Sequence, residues 1–168
     1  MPKQSTPSYL ADLPQLMAEW DHEKNQDAFP GDVSFRSHKD FWWLWVKGHS
    51  WQASPHNRAV GKGCPYCTGR KVLRGFNDLA SRFPALMEEW DFERNTDIFP
   101  EEVTASSARK AWWKCHKGHR WEAVIASRTA GCGCPYCAGK RVWHDGNDLA
   151  SRCPGLAAEW HPTKNAPL

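Results

Sequence analysis

Three stretches of the chain repeat one helical pattern of apolar positions. In LPQLMAEWD, Leu13, Leu16, Met17 and Trp20 fall on one face, and Pro14 suits the first helical position. Pro14, Pro84 and Pro154 are spaced by 70 residues, as are Leu16, Leu86 and Leu156, the Glu-Trp pairs at 19–20, 89–90 and 159–160, and Asn25, Asn95 and Asn165. Agreement over two periods without an insertion marks a duplicated supersecondary unit. After each helix the pattern predicts a turn at Phe29-Pro30 and Phe99-Pro100, then an extended segment at Val33 and Val103. Trp121, Ala123 and Ile125 alternate with Arg120, Glu122 and Val124, the period of a half-buried strand. A hairpin turning through Lys117-Gly118-His119 follows from this. A further helix is expected from Leu79, capped by Asn77 or Asp78, and Asn147-Asp148 repeats that signal. Trp20, Trp51, Trp90 and Trp121 fall at inward positions, whereas one member of each pair Trp42-Trp43 and Trp112-Trp113 should face out.

The repeat divides the chain into a first module over 8–76, a second over 77–146 and a partial third, helix only, over 147–168. Modules of about 70 residues bury too little apolar surface for a comfortable margin, so a metal staple is expected to contribute to folding. Eleven of the 168 residues are Trp, so a few large indoles must supply much of each core. The predicted class is therefore small α+β metal-binding modules in tandem, each a short helix plus a β-hairpin with a metal knuckle.

The chemistry concentrates in WWKCHKGHRWEAVIASRTAGCGCPYC. Cys115, His119, Cys134 and Cys137 form two closely spaced pairs of soft ligands, the way a closed tetrahedral zinc (Zn2+) site is written in sequence. Four N and S donors leave no open position, which makes the site structural and argues against hydrolytic zinc. The first module keeps His49, Cys64 and Cys67 but has Trp45 in the place of Cys115. Three readings follow: the metal is lost and Trp45 joins the core, a neighbour such as His56 completes the shell, or the site is open with water in the fourth position. Cys132 reads as a bystander, and Cys153, on the apolar face of the third helix, as a small core residue.

Charge adds a partner to this picture. The formal net charge is only +3, but residues 36–76 hold eight Lys or Arg against Asp40, and residues 105–146 hold eight against Glu122 and Asp145. Residues 77–104 reverse the balance, with eight acids against Arg82 and Arg94. A basic metal-binding half with aromatic side chains suits a nucleic acid, since cations neutralise phosphate and indoles stack on bases. Arg58, Arg70, Lys71, Arg74, Arg128, Lys140 and Arg141 are the candidate phosphate contacts. The alternative is that the acidic helix of one module packs beside the basic half of the next and cancels charge internally. No apolar run approaches the ~20 residues of a membrane span. No secretory leader is recognisable and the cysteines are odd in number, so a reducing cytoplasmic setting is expected.

The combined pattern WWxCxxGHxW, then Gly-x-Gly-Cys-Pro-Tyr-Cys, Asn-Asp-Leu-Ala, and Glu-Trp with a following Asn resembles the "probable zinc-ribbon domain" family. This is a treble-clef-like zinc-finger module found in tandem in bacterial and phage proteins. The resemblance covers nearly the whole chain and implies zinc on Cys115, His119, Cys134 and Cys137, with the first module departing from the pattern at Trp45. Some relatives carry such repeats beside nuclease domains, which implies a DNA-directed accessory role. No nuclease carboxylate constellation is recognisable here. The expectation is a non-catalytic module that binds nucleic acid, DNA before RNA, with a protein-interaction scaffold, its partner a protein such as a nuclease, as the alternative.

Overall fold

The structure, a computed structural model, describes residues 8–161 and 163–165. It comprises two compact units that divide between Leu73 and Arg74, close to the 76/77 boundary read from the repeat. The third copy, expected over 147–168, belongs to the second unit, and its residues 162 and 166–168 lie outside the described residues.

Each unit is a small α+β assembly around one antiparallel hairpin. The first unit contains α1 (Pro14–Met17), β1 (Phe41–Leu44), β2 (Ser50–Ala53) and α2 (Pro55–Ala59). The second contains α3 (Leu79–Arg82), β3 (Lys110–Lys114), β4 (Arg120–Val124) and α4 (Ile125–Thr129), followed by α5 (Leu149–Arg152) and α6 (Pro154–Ala158) of the third copy. Strands β1 and β2 pair Trp43 with Trp51, and β3 and β4 pair Trp113 with Trp121, so two indoles from each hairpin share one face. The hairpin turns use Gly48 (φ 79°) and Gly118 (φ 82°), a conformation that side chains with a Cβ disfavour.

The helix expected on LPQLMAEWD forms only over Pro14–Met17, and the second copy of that segment is a 3-10 turn over Pro84–Glu89. The third copy is also short, helical only over Pro154–Ala158. Trp20 and Trp90 form isolated antiparallel bridges to Trp43 and Trp113. Each also packs edge-on against its bridge partner, with ring centroids 5.5 Å apart in the first unit and 5.2 Å in the second. The indole N–H groups of Trp43 and Trp113 donate to the carbonyls of Ala53 and Ala123, so these fully buried side chains leave no polar atom unsatisfied.

The recurring asparagines now have a purpose. Asn25 donates from Nδ2 to the Trp42 carbonyl at 2.7 Å and accepts from the Trp42 N–H at 3.0 Å. Asn95 makes the same pair of bonds to Trp112, both at 2.8 Å. A side-chain amide thus stands in for a missing strand and closes the edge of each hairpin. As the alternation predicts, Trp43 and Trp113 are fully buried while Trp42 and Trp112 are half-buried.

Two features depart from the sequence reading. Helices α2 and α4 occupy segments read as strand end or loop; Ser54 caps α2 by accepting from Asn57 N–H, with Pro55 at the first helical position. Cys153, expected in a core, is exposed, as are Leu149, Leu156 and Trp160. Their equivalents Leu79 and Trp90 are covered by the hairpin of the second unit, and no third hairpin exists among the described residues to do the same.

Candidate metal centres and basic recesses

The second unit brings Cys115, His119, Cys134 and Cys137 together so that one ligand atom from each lies within 4.8 Å of the others. Cys115 follows β3 directly and His119 precedes β4, so the hairpin turn itself presents the first pair. The CPYC loop after α4 presents the second. His119 Nδ1 lies 3.4, 3.5 and 3.3 Å from the sulfurs of Cys115, Cys134 and Cys137. The ring is oriented by contacts with Tyr136 (5.4 Å between centroids) and with Trp143, edge-on at 4.3 Å.

The electrostatics fit a cation. Burial opposes ionisation of Cys115, but the backbone N–H groups of Lys117 and His119 point at its sulfur and pull its pKa below the ordinary thiol value. Cys137 is pushed up to about 11 by desolvation and by its neighbours Cys134 and Cys115. Three thiols this close cannot all ionise alone, and a thiophilic divalent ion would supply the missing charge. Three sulfurs and one imidazole make a soft, closed donor set suited to zinc.

In the first unit His49, Cys64 and Cys67 converge in the same way, with His49 Nδ1 3.6 Å from Cys64 Sγ and 3.5 Å from Cys67 Sγ. Trp45 packs against the core cluster of Trp20, Trp43 and Trp51, and supplies no donor. The reading in which His56 completes the shell gives way. His56 sits in α2, packs its ring at a tilt against His38 with centroids 4.7 Å apart, and does not belong to the donor group.

Two candidate phosphate contacts are also corrected. Arg58 and Arg128 are buried, 5% and 4% exposed. Arg58 pairs with Glu19 and donates to the Lys62 carbonyl, and its guanidinium lies over Trp43 (5.2 Å) and Trp51 (5.3 Å). Arg128 pairs with Glu89 at 2.7 Å, donates to the Cys132 carbonyl, and lies over Trp113 (5.0 Å) and Trp121 (5.3 Å). These arginines join the acidic helical segment to the basic half inside each unit, so part of the charge segregation is cancelled internally. The missed helices α2 and α4, which turn them inward, are the reason the sequence reading placed them on the surface.

The remaining candidates stay on the outside. Arg70 donates to Thr68 Oγ1 and to the Gly63 carbonyl at 2.8 Å, bracing the CPYC loop, and Arg74 pairs with Glu102. Arg70 and Lys71 flank a recess of about 280 Å³ beside Trp51 and Gln52. Lys140 and Arg141 flank the corresponding recess of about 270 Å³ beside Trp121 and Glu122. A second opening in the second unit, about 480 Å³, gathers Arg94, Lys110, Arg120 and Arg141 around Trp112. Arg94, Lys110 and Arg120 were not among the candidates read from sequence. Their signal was available: Lys110 and Trp112 share the outward parity of β3, and Arg94 directly precedes the Asn95 clamp and stacks on Trp112 at 4.5 Å. Arg120 is held by Asp91 and Glu93 and contributes less free charge than its neighbours.

The sequence family described as "Probable Treble clef zinc finger domain" matches twice in tandem, over residues 16–70 and 86–140, which together span more than half of the chain. No curated protein matches the chain. Among the described residues no helix is long and apolar enough to cross a membrane.

Proposed function

Because the chain belongs to the treble clef zinc finger family just described, we propose that it is a non-catalytic nucleic-acid-binding protein whose two units are held by structural zinc. The observation that carries this reading is the repeated recess. Both units place two adjacent cations, Arg70-Lys71 and Lys140-Arg141, beside a tryptophan-containing hairpin edge in the same position of the fold. Cation pairs duplicated at one place in each unit suit a polymer that repeats its phosphates. Half-buried Trp42 and Trp112, each under a cation 4.5 Å from the ring, add surfaces on which bases can stack. DNA is the preferred partner, in keeping with an accessory role to a DNA-directed enzyme.

Titrating salt against binding to single- and double-stranded DNA and RNA tests the proposal. Log affinity should fall linearly with log salt, and the double variant Lys140→Ala/Arg141→Ala should lower the slope by about 1 for each cation withdrawn from a phosphate. Absence of binding at low salt overturns the reading. A second reading, a protein-interaction scaffold, draws on the exposed Leu149, Leu156 and Trp160 of the third copy, a surface suited to a protein partner such as a nuclease. It predicts that Leu156→Asp abolishes capture of that partner while leaving nucleic-acid binding unchanged.

A further inference from the structure

The donor sets of the two units differ in one position only, and the surrounding backbone does not adjust to the difference. Trp45 N–H donates to the His49 carbonyl at 2.8 Å as Cys115 N–H does to the His119 carbonyl at 3.0 Å, and Gly48 and Gly118 close both turns with bonds of 2.8 Å. The distances from His49 Nδ1 to its two sulfurs, 3.6 and 3.5 Å, match the 3.5 and 3.3 Å of the second unit. Three donors therefore keep the positions they hold in a complete site. His49 and Cys64 are buried, and Cys67 is exposed as Cys137 is in the complete set, so one sulfur of each set faces solvent. No other Cys, His, Asp or Glu among the described residues joins them.

We infer that His49, Cys64 and Cys67 hold a zinc-class ion whose fourth position is exchangeable and takes a thiolate from outside the unit. The inference rests on the reading that the complete set of the second unit binds metal. Three protein donors with one open position is the arrangement in which zinc exchanges a ligand, in contrast to the closed four-donor shell. Charge and softness select the incoming group. Two thiolates and a neutral imidazole would balance the charge of a divalent ion, and a metal on the complete set would carry a third thiolate, one negative charge more, on the same scaffold. A small thiol restores that same donor composition. The step is a ligand substitution: a metal–sulfur bond forms, a water molecule leaves, the thiol proton passes to solvent, and nothing is oxidised or reduced.

Cobalt(II) substitution of the full chain tests this by absorption spectroscopy, with β-mercaptoethanol as the added thiol. The expected result is two cobalt ions per chain and a shift of the visible bands on adding thiol. The shift should disappear in Cys64→Ser/Cys67→Ser, and also in Trp45→Cys, which closes the shell from within. Two cobalt ions with no response to thiol, or one ion whose binding survives Cys64→Ser/Cys67→Ser, overturns the inference while leaving the metal reading of the second unit intact. Failure of cobalt to bind at Cys115, His119, Cys134 and Cys137, read from an unchanged spectrum in Cys134→Ser, instead overturns the reading on which the inference rests. Trp45→Cys adds a donor and removes none, so its readout does not depend on a variant that has lost its staple.

Discussion

A guanidinium enclosed by two indoles and a carboxylate is a demanding arrangement, and the chain builds it twice. Arg128 has 4% of its side chain exposed while Glu89, its partner, has 36%, so the pair is buried on one side only. Truncating the arginine leaves the Cys132 carbonyl without its donor and opens a gap over Trp113 and Trp121. Breaking a buried pair from one side costs about 3–5 kcal/mol, and the partial exposure of Glu89 places Arg128→Ala near the lower end, roughly 3 kcal/mol. Arg128→Lys should recover little of it, because an ammonium cannot form the planar fork or stack on both rings. Urea unfolding of the two variants measures both numbers. The same arginines mark where residue-level reading of the sequence stopped. The convergence of the candidate metal donors was legible because their chemistry depends on residue type and spacing. A cation carries no such label, since Arg on a surface and Arg in a pair read identically until the helix that orients it is known. The 70-residue recurrence of Glu19 and Glu89 alongside Arg58 and Arg128 was the available hint.

At the scale of elements, caps and periodicity were readable where the local signal faced no competition. Asp78 caps α3 as expected, accepting from the Ser81 N–H at 2.9 Å and from the Gly75 N–H at 2.6 Å. Burial opposes its ionisation, but hydrogen bonds from Ser81 and Gly75 outweigh it and hold the carboxyl below its ordinary value of 3.8. The unfolded chain therefore binds the proton more readily than the folded one. The stabilisation is complete above the ordinary carboxylate range and is lost as pH falls below it. Asp78→Asn should flatten the acid limb of the stability–pH profile, measured by thermal unfolding between about pH 6 and about pH 3. The Pro14 and Pro84 segments were harder to read: the Trp20 and Trp90 backbones bridge to the hairpin, a long-range contact that helical spacing cannot register. Packing context separates the copies further. Leu79 is fully buried against the core and Leu149, its equivalent, is 42% exposed. Leu79→Ala should therefore cost about 2–5 kcal/mol, while Leu149→Ala should stay within about 0.5 kcal/mol; melting temperatures of the two variants give the comparison.

For the whole molecule, the sharing of residues between candidate metal site and core would tie a bound metal to the fold. Cys115 and Cys134 belong to the same buried cluster as Trp90, Trp113 and Trp121, and Cys64 belongs to the cluster of Trp20, Trp43 and Trp51. Without a metal, either set leaves sulfurs and an imidazole crowded together with no ion between them, in a module of about 70 residues, a size at which packing alone supplies only a few kcal/mol. Metal binding and folding should accordingly be one event within each unit. The units have separate cores and unequal donor sets, three against four. A chelator titration should therefore unfold them in two steps, the first unit at the lower chelator concentration. Tryptophan fluorescence follows both, because each unit buries three indoles whose emission moves to the red when water reaches them. Cys64→Ser should remove the early step and Cys134→Ser the late one. A single transition that neither substitution alters would mean that the indole cores stand without metal, and that the donors are passengers on folds already stable.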